Sequence, residues 1–126
     1  MAANKNNVKN VIAELKDFTA KNVIKLSVEI NSNLKEDTPK DTRWASANWI
    51  GNVGNPFRGV IGSNGEVSLS GYQAGLDRLL KYKIGDGNIY ISNNVPYIQK
   101  LNDGHSKQAP KNFVSASVMR ALEKFK

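Results

Sequence analysis

The chain holds a single histidine, His105, in the run Asn102-Asp103-Gly104-His105-Ser106. Those residue types are the parts of an acyl-transfer triad, with Ser106 as nucleophile and Asp103 as orienting carboxylate. The spacing argues against it. Neighbours in a turn rarely reach nucleophile–base geometry, and no separate third group is evident. Gly104-His105-Ser106-Lys107-Gln108 also departs from a nucleophile elbow, because Gln108 stands where a second glycine is required. His105 therefore reads as an exposed turn residue. With one histidine and no cysteine, and with Asp37, Asp41, Asp77, Asp86 and Asp103 at no ligand spacing, no metal site is expected. No phosphate-cradling glycine pattern occurs, and Gly85-Asp86-Gly87 reads as a turn. The expectation is no catalytic residue, no cofactor and no metal.

The 126 residues and 13.9 kDa suit one domain with one modest core, spanning 1–126. A compact monomer of that mass exposes roughly 6,700 Å². No apolar run approaches the roughly 20 residues that cross a bilayer. Met1 to Asn10 is polar, so a soluble protein made in the cytoplasm, with no secretory signal and no membrane partner, is expected. The net charge of +7 is uneven: residues 1–37 and 38–79 carry +1 each, and residues 80–126 carry +5. That bias favours acidic partners, nucleic acid or protein. The basic residues are spaced singly, however, and the aromatics near them fall mostly on core positions, so a solvated basic face is the plainer reading.

The elements that would position these groups follow from periodicity. Val8, Val11, Ile12, Leu15 and Phe18 recur at three- and four-residue steps and form one helical stripe, continued by Val23, Leu26 and Ile30. Over Ile24, Leu26, Val28 and Ile30 the same residues also alternate as a strand would. No Gly or Pro divides the two halves, so one helix over 4–33 is the reading. It would span roughly 43 Å against a globule about 36 Å across. Ile24 and Val28 fall opposite the main stripe and need a cover: either a second subunit, which makes them candidate interface residues, or the remaining helices.

Residues 38–68 combine a turn motif with a glycine-rich strand or loop region between Ile50 and Gly65. Ser70 with Gln73 has the form of a capping box, followed by Tyr72, Leu76, Leu79 and Leu80 at helical spacing. Asn88 to Ser92 reads as a strand, and Tyr97 to Leu101 as a turn or two of helix. Pro110 precedes a last helix marked by Val114, Val118, Leu122 and Phe125, whose late cations suit its negative end. Trp44 and Trp49 read as core aromatics. The class is α+β: a long N-terminal helix and two or three shorter helices on a small antiparallel sheet.

Two segments carry a resemblance. Thr38-Pro39-Lys40-Asp41-Thr42-Arg43, then Ala45, Ser46 and Trp49, resembles a motif of the minor tail, or tail-completion, proteins of tailed bacteriophages. That motif reads Thr-Pro-Val-Asp-Thr-Gly before an Arg and a Ser- or Asn-Trp pair, so Lys40 replaces its Val and Arg43 its Gly. Asn93-Asn94-Val95-Pro96-Tyr97, Leu101, Asp103-Gly104-His105-Ser106 and Gln108-Ala109-Pro110 resemble the same family's C-terminal signature. Order and spacing agree over about 20 residues; Asn55 to Ser68 matches poorly.

The resemblance implies a structural virion protein at the head–tail junction, assembled in the host cytoplasm. It implies a homo-oligomeric ring around the DNA channel, with other neck, connector or tail proteins as partners and weak contact with channel DNA. The motif positions are then architectural: Asp41 caps or turns the chain, Pro96 and Pro110 fix φ at element starts, and Gly104 permits a reversal. The alternative from charge alone is a small basic nucleic-acid-binding protein.

Overall fold

A computed structural model describes residues 5–40 and 43–125. In chain order the elements are helix α1 (Lys5–Asp37), a 3-10 turn (Ser46–Asn48), strand β1 (Ile50–Val53), helix α2 (Ser70–Leu80), strand β2 (Ile89–Ser92), helix α3 (Ile98–Asn102) and helix α4 (Phe113–Glu123). The two strands pair antiparallel, with Ile50 opposite Ser92 and Val53 opposite Ile89. The α+β class is as expected: a long first helix and shorter helices around a small antiparallel sheet.

Residues 23–30 are helical, and α1 runs on past Asn33 to Asp37. Pro39 sets the stop, because the residue before a proline is disfavoured in the α region. Thr38 closes the end: its N–H reaches the Leu34 carbonyl at 3.1 Å, and its hydroxyl donates to the same oxygen at 2.5 Å. The thirty-three residues span roughly 50 Å.

The core lies at the C-terminal end of α1. Leu34, Trp49, Ala109 and Phe113 form its buried centre, with Ile30, Ile91, Ile98, Leu101 and Val114 packed around them. Trp49 is thus a core aromatic, and Trp44 is half-buried, with Tyr97 at 5.9 Å between ring centroids. Helix α4 lies antiparallel on α1 through Phe113, Ser117 and Ala121, a one-turn spacing of buried positions. Val114 and Val118 flank that face, whereas Leu122 and Phe125, expected on it, are exposed. The late cations are ion-paired across the helices, Arg120 to Asp37 and Lys124 to Glu29, both at 2.7 Å.

Helix α2 differs from its expectation in two respects. No side chain caps it as a capping box would; the Ser70 N–H instead donates to the Ser68 hydroxyl, two residues upstream. Its buried face is Gly71, Gly75 and Leu79, while Leu80 is exposed. Gly75 lets the helix rest directly on the backbone of β1, and Gly71 makes room for the side chains of Ile61 and Ile50. A Cβ at Gly75 would stand 2.6 Å from the Gly51 nitrogen, and one at Gly71 would stand 2.7 Å from Ile61.

The accessible surface is 8228 Å², well above the roughly 6,700 Å² of a compact monomer of this mass. The helix–strand contact generates a test. Gly75→Ala meets backbone that cannot rotate away, so about 2 kcal/mol or more of stability should be lost in urea unfolding. Gly65→Ala, where a Cβ would meet open space, should change it by a few tenths at most.

Candidate functional site

The polar residues of the two motif segments are engaged in holding the backbone. Thr38 is fully buried; its hydroxyl accepts from Trp49 Nε1 at 2.6 Å while donating to the end of α1. Pro39 is buried beside it. The Lys40 N–H donates to Gln108 Oε1 at 2.7 Å, tying the first segment to the second. Asn93 Nδ2 donates to the Ala45 carbonyl at 2.8 Å, a second tie. Ala109 completes the seam by entering the core against Leu34, Trp49 and Phe113. Segments about 50–70 residues apart in sequence thus form one structural unit.

The other motif positions serve the same joint. Asn94 donates to the carbonyls of Phe57 and Gly59, which anchors the glycine-rich loop. Pro96 is exposed before the half-buried Tyr97. Gly104 takes φ of +93°, as a reversal requires, and comes close to Lys111. The Ser106 hydroxyl accepts from the Gln108 N–H at 3.1 Å, and Pro110 is exposed ahead of α4. His105 is exposed, with its backbone N–H on the Lys100 carbonyl. Asp41 and Thr42 lie outside the described residues.

Two positioning residues escaped the sequence reading. Asn48 is buried and brackets Ile61, accepting from its N–H at 2.8 Å and donating to its carbonyl at 3.0 Å. Asn102 Oδ1 accepts from the Val114 N–H at 3.1 Å, capping α4 from outside its own helix. Neither has a local pattern that would reveal it. Arg43 is the third finding: it sits at φ +64°, in the left-handed region, with its carbonyl accepting from the Ala47 N–H. The turn therefore forms here with an arginine in a conformation that favours glycine.

Electrostatics at the α1–α4 joint centre on Asp37. Burial raises its pKa, but hydrogen bonds from Arg120 and Ser117, with the positive charges of Arg120 and Lys40, outweigh that and hold it below the usual carboxylate value. Among the described residues, no group of three or more His, Cys, Asp or Glu side chains could hold a metal ion. No described helix is long and apolar enough to cross a membrane.

The largest departure concerns α1. Val8, Val11, Ile12, Leu15 and Phe18 are all exposed, between 46% and 67%. The positions that α1 buries are small or polar: Ala20, Ser27, Asn31 and Asn33, with Leu34 the one large apolar among them. Ile24 and Val28 are half-buried. They form, with Leu80, Lys124 and Phe125, the walls of an open groove of about 470 Å³. The ends of α2 and α4 thus cover the second face in part, and the main stripe is the one left open. Periodicity finds a stripe but does not say which way it turns.

Comparison with protein-family models, with curated proteins and with solved structures finds no match to this chain.

Two outcomes are expected at this joint. Arg43→Gly removes the left-handed penalty of about 1–2 kcal/mol, less the extra freedom of glycine in the unfolded chain, and should raise Tm by about 3–5 °C in calorimetry. Because the folded pKa of Asp37 is depressed, its pairing contributes stability above the ordinary carboxylate value and loses it as pH falls through the folded one. Urea midpoints of the parent should therefore fall more steeply below about pH 4 than those of Asp37→Asn.

Proposed function

We propose that this chain is a structural virion protein of a tailed bacteriophage, forming part of an oligomeric ring at the head–tail junction in a neck or tail-completion role. The observation that carries the assembly reading is the outward-facing apolar stripe of α1. A helix that turns Val8, Val11, Ile12, Leu15 and Phe18 to water, and Ser27 and Asn31 to its own body, is built to mate with another surface. The assignment to a phage neck comes from the two resembling segments. It gains support from their junction through Lys40 and Gln108, and from the left-handed Arg43 where the resembled motif carries glycine. The motif groups act on backbone, and the reading involves no turnover and no cofactor. Its partners are copies of itself and the neighbouring virion proteins.

A second reading, a basic nucleic-acid-binding protein, draws on the exposed lysines Lys81, Lys83, Lys100, Lys107 and Lys111. Sedimentation of the purified chain over a concentration series, beside a duplex-DNA titration at several salt concentrations, separates the two. The ring reading expects a discrete multimer and only weak, salt-sensitive DNA affinity. A monomer at every concentration that binds duplex tightly and stoichiometrically would replace it with the second.

A further inference from the structure

We infer that copies of this chain join head to tail, the exposed ridge of α1 in one copy seating in the groove between α1, α2 and α4 of the next. The inference rests on the assembly part of the proposed function and names the two surfaces that would meet.

The molecule carries two apolar surfaces, linked around α1 by shallow hollows in which Ile12 and Leu15 of the first lie beside Ile84. One is a convex ridge, Val8 to Phe18, eleven residues and roughly 15 Å of helix. The other is concave. Its floor is Ile24 and Val28, and its walls are Leu80, 59% exposed, and Phe125, 42% exposed. A second hollow adjoins it along α1 past Ala20 and Asp17, with Tyr82 on the opposite side and Lys21, Lys81 and Lys83 at its rim. From Asp17 to Val28 the two hollows follow α1 for roughly 17 Å, close to the roughly 15 Å of the ridge. At 100° per residue, Ile24 and Val28 point nearly opposite to the centre of the ridge.

That opposition decides the geometry. Ridge against ridge would be a two-fold contact, closing at two copies and leaving Leu80 and Phe125 open. Ridge into groove covers both surfaces with a single kind of contact. Because the two surfaces lie on opposite sides of one helix, each copy receives one neighbour and enters another, the heterologous arrangement that generates a ring or a filament. The ridge offers roughly 450 Å² of apolar surface, so one contact buries on the order of 900 Å² in total. This falls short of the roughly 1,200 Å² at which stable pairwise interfaces begin. A closed ring, in which every copy makes the contact twice, suits an interface of that size.

Two double variants test the pairing, each confined to exposed positions so that the core is untouched. Leu15→Glu with Phe18→Glu blocks the ridge; Leu80→Glu with Phe125→Glu blocks the groove. Circular dichroism establishes that each folds as the parent does. Under conditions where the parent assembles, each variant alone should sediment as a single 13.9 kDa chain. An equimolar mixture should give a species of twice that mass and nothing larger, since one intact ridge then meets one intact groove. If the groove variant assembles like the parent while the ridge variant does not, the contact is ridge on ridge and the inference is overturned. If both variants assemble like the parent, or if the mixture stays monomeric even far above the concentration at which the parent assembles, the pairing is wrong while assembly by the parent still stands. A parent that remains monomeric at every concentration removes the ring reading and this inference together.

Discussion

Thirty-three residues of helix are more than the rest of this chain can cover. A helix of roughly 50 Å overhangs a body about 36 Å across, so part of it must meet water or another molecule. Length alone leaves open what the overhang looks like. A helix meant only to be solvated would carry charged and polar side chains around its free part. This one places five large apolar residues on the free side, in one continuous ridge. At about 25 cal/mol per Å², roughly 450 Å² of such surface leaves on the order of 10 kcal/mol of gross burial free energy unrealised in the single chain. That is comparable with the whole stability of a typical domain.

A free ridge has defined geometry only if its root is fixed. The root of α1 is where the buried polar groups concentrate. Thr38 joins the helix end to Trp49, Asn33 donates to the Ser117 carbonyl, and Asp37 receives both Ser117 and Arg120. Small side chains bring the helices together there, Ser117 and Ala121 from α4, with Lys124 and Glu29 paired further along the crossing. These bonds are directional where apolar packing is not, so they set the angle of α1 as well as its attachment. Fully buried Asn31 is the exception: among the described residues, neither its oxygen nor its nitrogen has a hydrogen-bond partner. A group of that kind costs about 1–3 kcal/mol.

Much of the element order was legible from local pattern. The stripe from Val8 to Ile30 gives a helix, Ile89 and Ile91 a strand, and Pro110 followed by Val114 and Val118 a final helix. What local pattern withholds is orientation. On α1 the buried face is written in Ala, Ser and Asn, and no hydropathy rule separates such a face from a solvated one. On α2 the apolar spacing of Tyr72, Leu76, Leu79 and Leu80 does not mark Gly71 and Gly75 as packed positions, although two glycines one turn apart in a helix signal a close approach. The cap from Asn102 and the clamp by Asn48 depend on partners in other parts of the chain. They become visible only when the tertiary structure is known.

The same accounting bears on the residues with which chemistry would begin. Ser106 lies three residues before Ala109 and Gln108 directly precedes it, and both polar groups hold the loop that carries Ala109 into the core. A nucleophile needs a lone pair free to attack and a base poised beside it. Ser106 presents its oxygen to a backbone N–H, and His105 is exposed, with its own N–H on the Lys100 carbonyl. The loop is therefore best understood as a clasp on the root of α1. Through Lys40–Gln108 and the packing of Ala109 on Leu34, the clasp bears on the end of α1, so these motif residues help to set the direction in which the ridge leaves the body.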